Sequence, residues 1–430
     1  MNSRYLEVEV NSLGSGGDGV AETGEGRIFI PYSAPGDHLR VRLSEKPSST
    51  MRAEIVERLK DAPSRREPVC SHFSVCGGCA VQHVSEESYR AWKYSLVGDA
   101  LAHRGIDPAM VRQVVPGRVG LRRRTRLHAR LTARGAVLGY LTVRSHRIVP
   151  VSECPVLVPA IVDFFEPLRA LLTKSLSRGQ EAEIAVTLCG TGLDVSIAMG
   201  KSLQLAEREK LVSFADANNL ARLSWQPLQR GKVGELETVI RRLPPTIAYA
   251  GINVEIPPDA FVQATAEGEA ALRDAVLAST AGSRRVADLY AGCGAFSLPV
   301  ATAGIHVTAI DSAADQIASL ENAARHAMLG EFVRTETRDL NRRPLMPEEL
   351  KVFDSVILDP PRAGAMVQAK LVADSAVPTV VYVSCNPASF ARDARILIDG
   401  GYDLRVVTPV DQFLFSPHIE LVAIFRRPIR

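Results

Sequence analysis

From about residue 262 onward the chain alternates short apolar strands with amphipathic helices, a rhythm that few folds accept. Strands are expected at 285–290, 306–311, 353–359 and 379–385, with helical stretches such as 313–328 and 388–398 between them. Continuous apolar strands have no solvated face, so their sheet must be parallel and covered by crossover helices on both sides. The apolar tail at 419–425 supplies a closing strand. The expected class is α/β, with a Rossmann-like C-terminal domain over residues 262–430.

A chain of 430 residues is too long for one ordinary core. Residues 1–60 read as a small β domain: Tyr5-Leu6-Glu7-Val8-Glu9-Val10 alternates, glycines cluster at 14–19, and further strands fall at 27–31, 37–43 and 51–56. Strands at such short spacing predict a compact barrel of the OB type, suited either to RNA binding or to a purely structural role. A linker at 62–68 opens a central α+β domain, residues 61–261. It carries a cysteine cluster, a helix over 85–105, a hairpin over 120–150 turning at Arg134-Gly135, and a mixed stretch from 155 to 250. A hydrophobic fraction of 46%, a charged fraction of 23% and the absence of a long apolar run or signal-like start predict a soluble, cytoplasmic chain.

Between Arg118 and Arg147 stand nine Arg, two His and no Asp or Glu. That excess suits phosphates, although a solvated basic face would look the same. Arg122, Arg123, Arg124, Arg126 and Arg130 are the candidate RNA contacts, and strand alternation puts only some of them on one face.

Asp288-Leu289-Tyr290-Ala291-Gly292-Cys293-Gly294-Ala295-Phe296 lies where the first strand turns into a helix. Gly292 and Gly294 let backbone approach a ligand, and Asp311, ending the next strand, can hold ribose hydroxyls. This much fits a nicotinamide dinucleotide or S-adenosylmethionine. The Asp-x-x-x-Gly-x-Gly-x-Phe pattern resembles motif I of class I S-adenosylmethionine-dependent methyltransferases, which implies that Asp339 lies beside the adenine. Asp359-Pro360-Pro361-Arg362 then lines the same crevice from the fourth strand.

Ser384-Cys385-Asn386-Pro387 ends the fifth strand and opens a helix, where the positive dipole end is expected to stabilise a thiolate. Cys385 faces the crevice; Cys293, the competing thiol, reads as loop packing. Carbon 5 of uracil is a poor nucleophile until a thiolate adds to carbon 6, and a separate base must then remove the carbon 5 proton. Glu420, in His418-Ile419-Glu420, is the candidate base.

These residues resemble the TRAM-domain RNA uracil-5-methyltransferases, a family that includes iron–sulfur 23S ribosomal RNA enzymes and transfer RNA relatives. The likeness covers nearly the whole chain. It rests on the barrel, Phe261-Val262-Gln263, Asp359-Pro360-Pro361-Arg362-Ala363-Gly364, Ser384-Cys385-Asn386-Pro387 with Ala391-Arg392-Asp393, and His418-Ile419-Glu420. It implies Cys385 as nucleophile and Glu420 as base. Gln263, Tyr290, Gly292, Gly294, Asp311, Asp339 and Asp359 would line the cofactor and target pocket. Thr265, Ala295 and Asp311 stand where the family often has Asn, Asn and Glu.

Three of the seven cysteines form Cys70-x5-Cys76-x2-Cys79, and Cys154-Pro155 can complete a set of four. An odd count in a cytosolic chain argues against a disulfide framework. Four thiolates suit zinc or an iron–sulfur cluster. The spacing resembles the [4Fe–4S] site of the ribosomal RNA branch, with a structural or RNA-contacting role. The expected substrate is structured RNA, ribosomal RNA first and transfer RNA uridine 54 second. Rival readings are methylation of an adenine amine, for which Arg362 stands where an aromatic is usual, a cytosine-5 enzyme, and a non-catalytic iron–sulfur RNA-binding protein.

Overall fold

The computed structural model describes residues 4–44, 51–143, 145–200, 202–229 and 232–428. Arg144, within the basic stretch, and the first three residues, read above for a signal peptide, lie outside them. The chain begins with β1 (Tyr5–Glu9), β2 (Ser12–Leu13), β3 (Gly19–Thr23), β4 (Gly26–Ile30), β5 (His38–Leu43) and β6 (Met51–Lys60). They form one sheet in the order β1-β5-β6-β4-β3-β2 around a core of Val10, Ile28, Ile30, Leu39 and Val41. β2 and β3 were not expected: one is two residues long, and the other, Gly-Val-Ala-Glu-Thr, follows a turn without an apolar run.

Helix α1 (Glu86–Ala102) starts at Ser85, whose hydroxyl accepts from the Ser88 amide, and the chain turns after it at Gly105 with φ +66°. The expected hairpin is β7 (Arg124–Thr132) and β8 (Gly135–Leu141); its turn falls at Ala133-Arg134, one residue before the expected place, and Gly135 opens β8 at φ +110°. Then come β9 (Ile148–Pro150), α2 (Pro159–Asp163), α3 (Phe165–Ser175), β10 (Glu181–Cys189), β11 (Gly192–Met199), α4 (Leu205–Ala217) and β12 (Arg222–Gln226). After the short pair β13 (Leu228–Gln229) and β14 (Lys232–Val233), β15 (Glu237–Arg241) completes a seven-stranded sheet, β15-β12-β11-β10-β7-β8-β9. The hairpin β16 (Thr246–Tyr249) and β17 (Ile252–Glu255) leads to α5 (Ala266–Thr280).

The C-terminal sheet contains β18 (Arg285–Leu289), β19 (His306–Asp311), β20 (Val333–Thr337), β21 (Ser355–Leu358), β22 (Thr379–Ser384), β23 (Asp403–Val410) and β24 (Glu420–Arg426). Their order is β20-β19-β18-β21-β22-β24-β23; the first five are parallel, and β24 is antiparallel to both neighbours. Helices α6 (Ser297–Thr302), α7 (Ala314–His326), α8 (Pro347–Leu350), α9 (Met366–Ala373) and α10 (Pro387–Asp399) fill the crossovers. Every residue of β21 and β22 is buried, as strands covered on both faces must be. One face packs with α5, α6 and α7; the other packs with α9, α10 and Val97 and Leu101 of α1. Thus α1, although remote in sequence, caps this sheet. Among the described residues no helix is long and apolar enough to cross a membrane.

Candidate active site at the carboxyl edge of the sheet

In an open α/β sheet the crevice opens where strand order reverses, beyond the carboxyl ends of the strands. Here that is beyond β18 and β21, and the expected residues gather there. Tyr290 follows β18 in the left-handed region, φ +66°, a strained conformation for a side-chain-bearing residue. Gly292 and Gly294 follow at φ +53° and +88°. A Cβ on Gly294 would come within 2.4 Å of Leu320 Cδ1, so the loop lies against α7 only because that atom is missing. Asp311 Oδ2 accepts from the Gly292 amide at 3.0 Å and Oδ1 from Ala313 at 2.9 Å, which braces the loop on the next strand. Burial raises the Tyr290 hydroxyl to about 12, with the charges of Asp393, Asp339 and Asp311 adding to the shift. Asp339, beyond β20, is partly exposed and accepts from the Asn341 amide at 2.9 Å.

The fourth- and fifth-strand motifs are laced together. Asn386 Nδ2 and Ser389 Oγ donate to the Arg362 carbonyl at 3.0 and 3.1 Å, and Arg392 donates to Ala363 O at 2.9 Å. Buried Asp393 accepts from the Ala365 amide and the Tyr382 hydroxyl at 2.8 and 2.6 Å. Asp359 is thereby held beside the start of α10, which Asn386 caps.

Cys385 and Glu420 are brought together by register. The antiparallel pairing of β22 with β24 runs to Ser384 opposite Leu421, and the next step outward sets Cys385 across from Glu420. Burial pushes Glu420 up to about 8, with Asp359 adding to the shift. Asp359 rises to about 7 through burial and the charges of Asp288 and Asp311. The thiol of Cys385 is pushed up to about 11 by burial and then by Glu420 and Asp359. The α10 dipole, expected to favour the thiolate, is thus outweighed by burial, with the two carboxylates that folding brings close adding to the shift. Cys293 is buried in the glycine loop, with Sγ 3.9 Å from Gln316 Oε1 and its thiol raised to about 12, as loop packing requires.

Gln263 is buried, and its Oε1 accepts from Gln412 Nε2 at 2.6 Å. The same Nε2 lies 3.0 Å from Glu420 Oε2, and Gln412 Oε1 accepts from the Ala264 amide at 2.9 Å. Gln412 therefore joins the Gln263 segment to Glu420, a role that no motif or periodicity signals. Thr265 caps α5, accepting from Gly268 at 3.0 Å, and both Thr and Asn perform that task.

The basic segment abuts this site. Arg123 donates to the Gln263 carbonyl at 3.0 Å and pairs with buried Glu269; Arg124 donates to the Val262 carbonyl at 2.9 Å and stacks 4.9 Å from the Phe261 ring centroid. Arg126 Nη2 donates to both Asp259 carboxylate oxygens at 2.9 and 2.8 Å, Arg122 lies 5.9 Å from the Phe413 ring, and Arg130 pairs with Glu181. These arginines are engaged within the chain rather than free. Arg122, Arg124 and Arg126 wall a cavity of about 240 Å³ with Phe261 and Phe413. Phe261 is 57% exposed there, the aromatic partner that counting charges overlooked.

The cysteine segment lies on the end of the hairpin: the Gly77 amide donates to Leu141 O at 2.9 Å, and Ser71 Oγ donates to Glu153 Oε1 at 2.5 Å. Cys70, Cys76, Cys79 and Cys154 are free, half-buried thiols. Burial raises Cys79 to about 12 and also raises Cys76 and Cys154, and Cys79 responds to the other three. Four thiols suit a soft metal centre in donor chemistry. However, among the described residues no group of three or more His, Cys, Asp or Glu is gathered at metal-holding geometry.

A family model for tRNA (uracil-5-)-methyltransferase matches residues 246–427. An uncharacterized RNA methyltransferase of Mesorhizobium japonicum is 41% identical over 100% of this chain and 99% of its own. One of Brucella suis biovar 1 is 39% identical over 99% of each. The 23S rRNA (uracil(1939)-C(5))-methyltransferase RlmD of Shewanella woodyi is 30% identical over 98% of this chain and 96% of its own. The crystal structure of Pyrococcus abyssi tRNA (uracil-54, C5)-methyltransferase with S-adenosyl-L-homocysteine shares the fold, with a TM-score of 0.75 and 23% identity over 98% of this chain and 99% of that one. With its sheet, its crevice and its full-length relatives in agreement, the chain belongs to the tRNA (uracil-5-)-methyltransferase family of RNA methyltransferases.

Proposed function

We propose that this enzyme methylates carbon 5 of a uridine in structured RNA, 23S ribosomal RNA first among substrates, with Cys385 as nucleophile and Glu420 as base. The observation that carries the reading is the β22–β24 register, which ends at Ser384 opposite Leu421 and so brings the next residues, Cys385 and Glu420, to one edge of the sheet, where the Glu420 charge acts on the thiol. The relative that names a 23S rRNA uridine covers both chains nearly end to end, which favours ribosomal RNA.

S-adenosylmethionine would supply the methyl group from its sulfonium. Tyr290, Gly292, Gly294, Asp311, Asp339 and Asp359 are the residues to hold it. Gln263, fixed by Gln412, orients the target ring with its remaining polar valences. The Cys385 thiolate adds to uracil carbon 6, and electron density moves to carbon 5, which takes the methyl group. Glu420 then accepts the carbon 5 proton, the carbon 5–carbon 6 double bond re-forms and the thiolate leaves. Because Cys385 rests protonated near neutral pH, its proton must go to an acceptor in the site as the ring arrives; ionised Asp359, whose carboxyl sits at about 7 and whose charge acts on the thiol, takes it, and ionised Glu420 stays free for the carbon 5 proton.

The reading includes four thiolates, Cys70, Cys76, Cys79 and Cys154, around a [4Fe–4S] cluster that would tie the Cys154 loop to the 70s. Its support is the donor set and the mutual influence of the thiols. Iron and acid-labile sulfide in anaerobically prepared protein, absent in Cys79→Ser, would bear it out; metal-free folded protein would refute it. Arg122, Arg124 and Arg126, with Phe261, are proposed to line the RNA path.

The test is adduct trapping. 5-Fluorouridine RNA should form a denaturation-resistant complex with the wild type and none with Cys385→Ala. Unmodified 23S ribosomal RNA and transfer RNA, offered separately with labelled donor, identify the substrate. A labelled product other than 5-methyluridine would overturn the reading.

A further inference from the structure

Fully buried lysines are rare, because each ammonium must keep three hydrogen bonds away from water. Lys93 of α1 is one, at 0% exposure. Its Nζ lies 2.8 Å from Asp411 Oδ1, 2.6 Å from the His418 carbonyl and 3.3 Å from the Phe413 carbonyl. All three partners belong to residues 411–419, which join β23 to β24 and carry Gln412 just ahead of Glu420. Tyr89, one turn earlier on α1, donates its hydroxyl to Asp411 Oδ2 at 2.6 Å and accepts from the Phe415 amide at 2.8 Å. The Ala80 and Val81 amides, next to Cys79, both donate to the Phe415 carbonyl at 2.8 and 3.1 Å. Trp92 of α1 donates to Gly14 O of the N-terminal sheet at 2.9 Å.

We propose that Lys93, with Asp411 and Tyr89, is a positioning residue for removal of the carbon 5 proton. Lys93 clamps both ends of the 411–418 segment, and that clamp sets Gln412 against Glu420. The inference rests on the reading of Glu420 as base. Asp411 is the direct neighbour of Gln412, so a shift of its backbone is transmitted to the only hydrogen-bond donor to Glu420 found among the described residues. The donor loop after β18 and the Arg123–Arg126 segment make none of these contacts. Because Gln412 also holds Gln263, loss of the clamp acts on the target ring and on the proton step at Glu420 together, and leaves the donor loop in place.

The experiment uses the full chain and whichever transcript, 23S ribosomal RNA or transfer RNA, the wild type methylates. Lys93→Met removes the ammonium but leaves a buried carboxylate, which can unfold the protein. Lys93→Met/Asp411→Asn removes both charges, and Tyr89→Phe removes one hydroxyl. A misplacement near 1 Å costs up to about 100-fold in rate, so the Lys93 variants should lose about 10- to 100-fold in kcat and Tyr89→Phe less. KM for RNA and the Kd for S-adenosylhomocysteine should stay within about 3-fold, a change worth under 1 kcal/mol. The decisive readout is the methylated enzyme–RNA adduct that survives denaturation on ordinary uridine RNA, because slow proton removal makes it accumulate. A merely structural role would lower activity and binding together and leave no adduct. Unchanged kcat in the double variant, or reduced kcat without adduct, overturns the proposal. Glu420→Gln run in parallel tests the underlying reading: if it accumulates no adduct, the assignment of the base fails, whatever the Lys93 variants do.

Discussion

Replacing Glu420 with Gln should make the folded protein less sensitive to pH while removing its proposed base. Glu420 is 2% exposed and its carboxyl sits at about 8, raised by burial and then by Asp359. In the unfolded chain the same carboxyl titrates near about 4.3. A folded value above the unfolded one means that folding retains the proton. The stabilisation from this group is therefore complete below the unfolded value and is lost as pH rises through the folded one. Inside that window one extra bound proton changes stability by about 1.4 kcal/mol per pH unit. Between pH 6 and 7 the wild type should lose about 1 kcal/mol that Glu420→Gln keeps, a difference that includes the mutual repulsion of Glu420 and Asp359. The side-chain oxygen of Gln at 420 can still accept from Gln412 Nε2, so no orphaned donor confuses the comparison. The assay is urea unfolding of both proteins at pH 6, 7 and 8, followed by near-ultraviolet signal and helix content. Parallel stability profiles would show that Glu420 is already ionised in the folded protein, and the reasoning from burial would fall.

Activity should move the other way with pH. Glu420 must be ionised to act as base, so kcat should climb from about pH 6.5, reach half its maximum at about 8 and level off about one unit higher; a flat profile refutes the assignment. Gly294→Ala, which sets a Cβ 2.4 Å from Leu320 Cδ1 at φ +88°, should cost about 1–3 kcal/mol in stability and weaken S-adenosylhomocysteine binding in calorimetry, whereas unaltered binding would remove the loop from the donor site. Arg126→Glu should weaken RNA binding and lower the salt slope by about 1, with donor affinity unchanged. Arg124→Glu should also disturb Phe261 and the Gln263 segment, since that guanidinium holds Val262 O; identical effects of the two variants on binding and turnover would contradict this.

The contrast between what was readable in the sequence and what was not follows from distance along the chain. β18, β19, β21 and β22 were legible because a strand covered on both faces has no polar alternation to hide it. β20 and β23 were not: they are the edges of that sheet, half exposed, and β23 reads Asp-Leu-Arg-Val-Val-Thr-Pro-Val with a proline inside it. The places of Cys385 and Asp359 at strand ends were equally legible, because topology alone decides them. The electrostatics of Cys385 were not. A helix dipole is a local property that a reader can count, but the burial of the thiol, and the Glu420 and Asp359 charges that strand pairing brings to it, are set by the whole fold and push the other way. Lys93 shows the same limit more sharply. In a window containing Glu86, Glu87 and Arg90 it reads as another exposed charge on α1, while the carboxylate that makes its burial tolerable belongs to Asp411, at the far end of the chain. A site whose parts are adjacent in sequence can be named from motifs. A site whose precision comes from a buried ion pair across the molecule becomes visible only when α1 is seen lying on the same face of the sheet as α10, with its polar stripe turned toward the loop that carries Gln412.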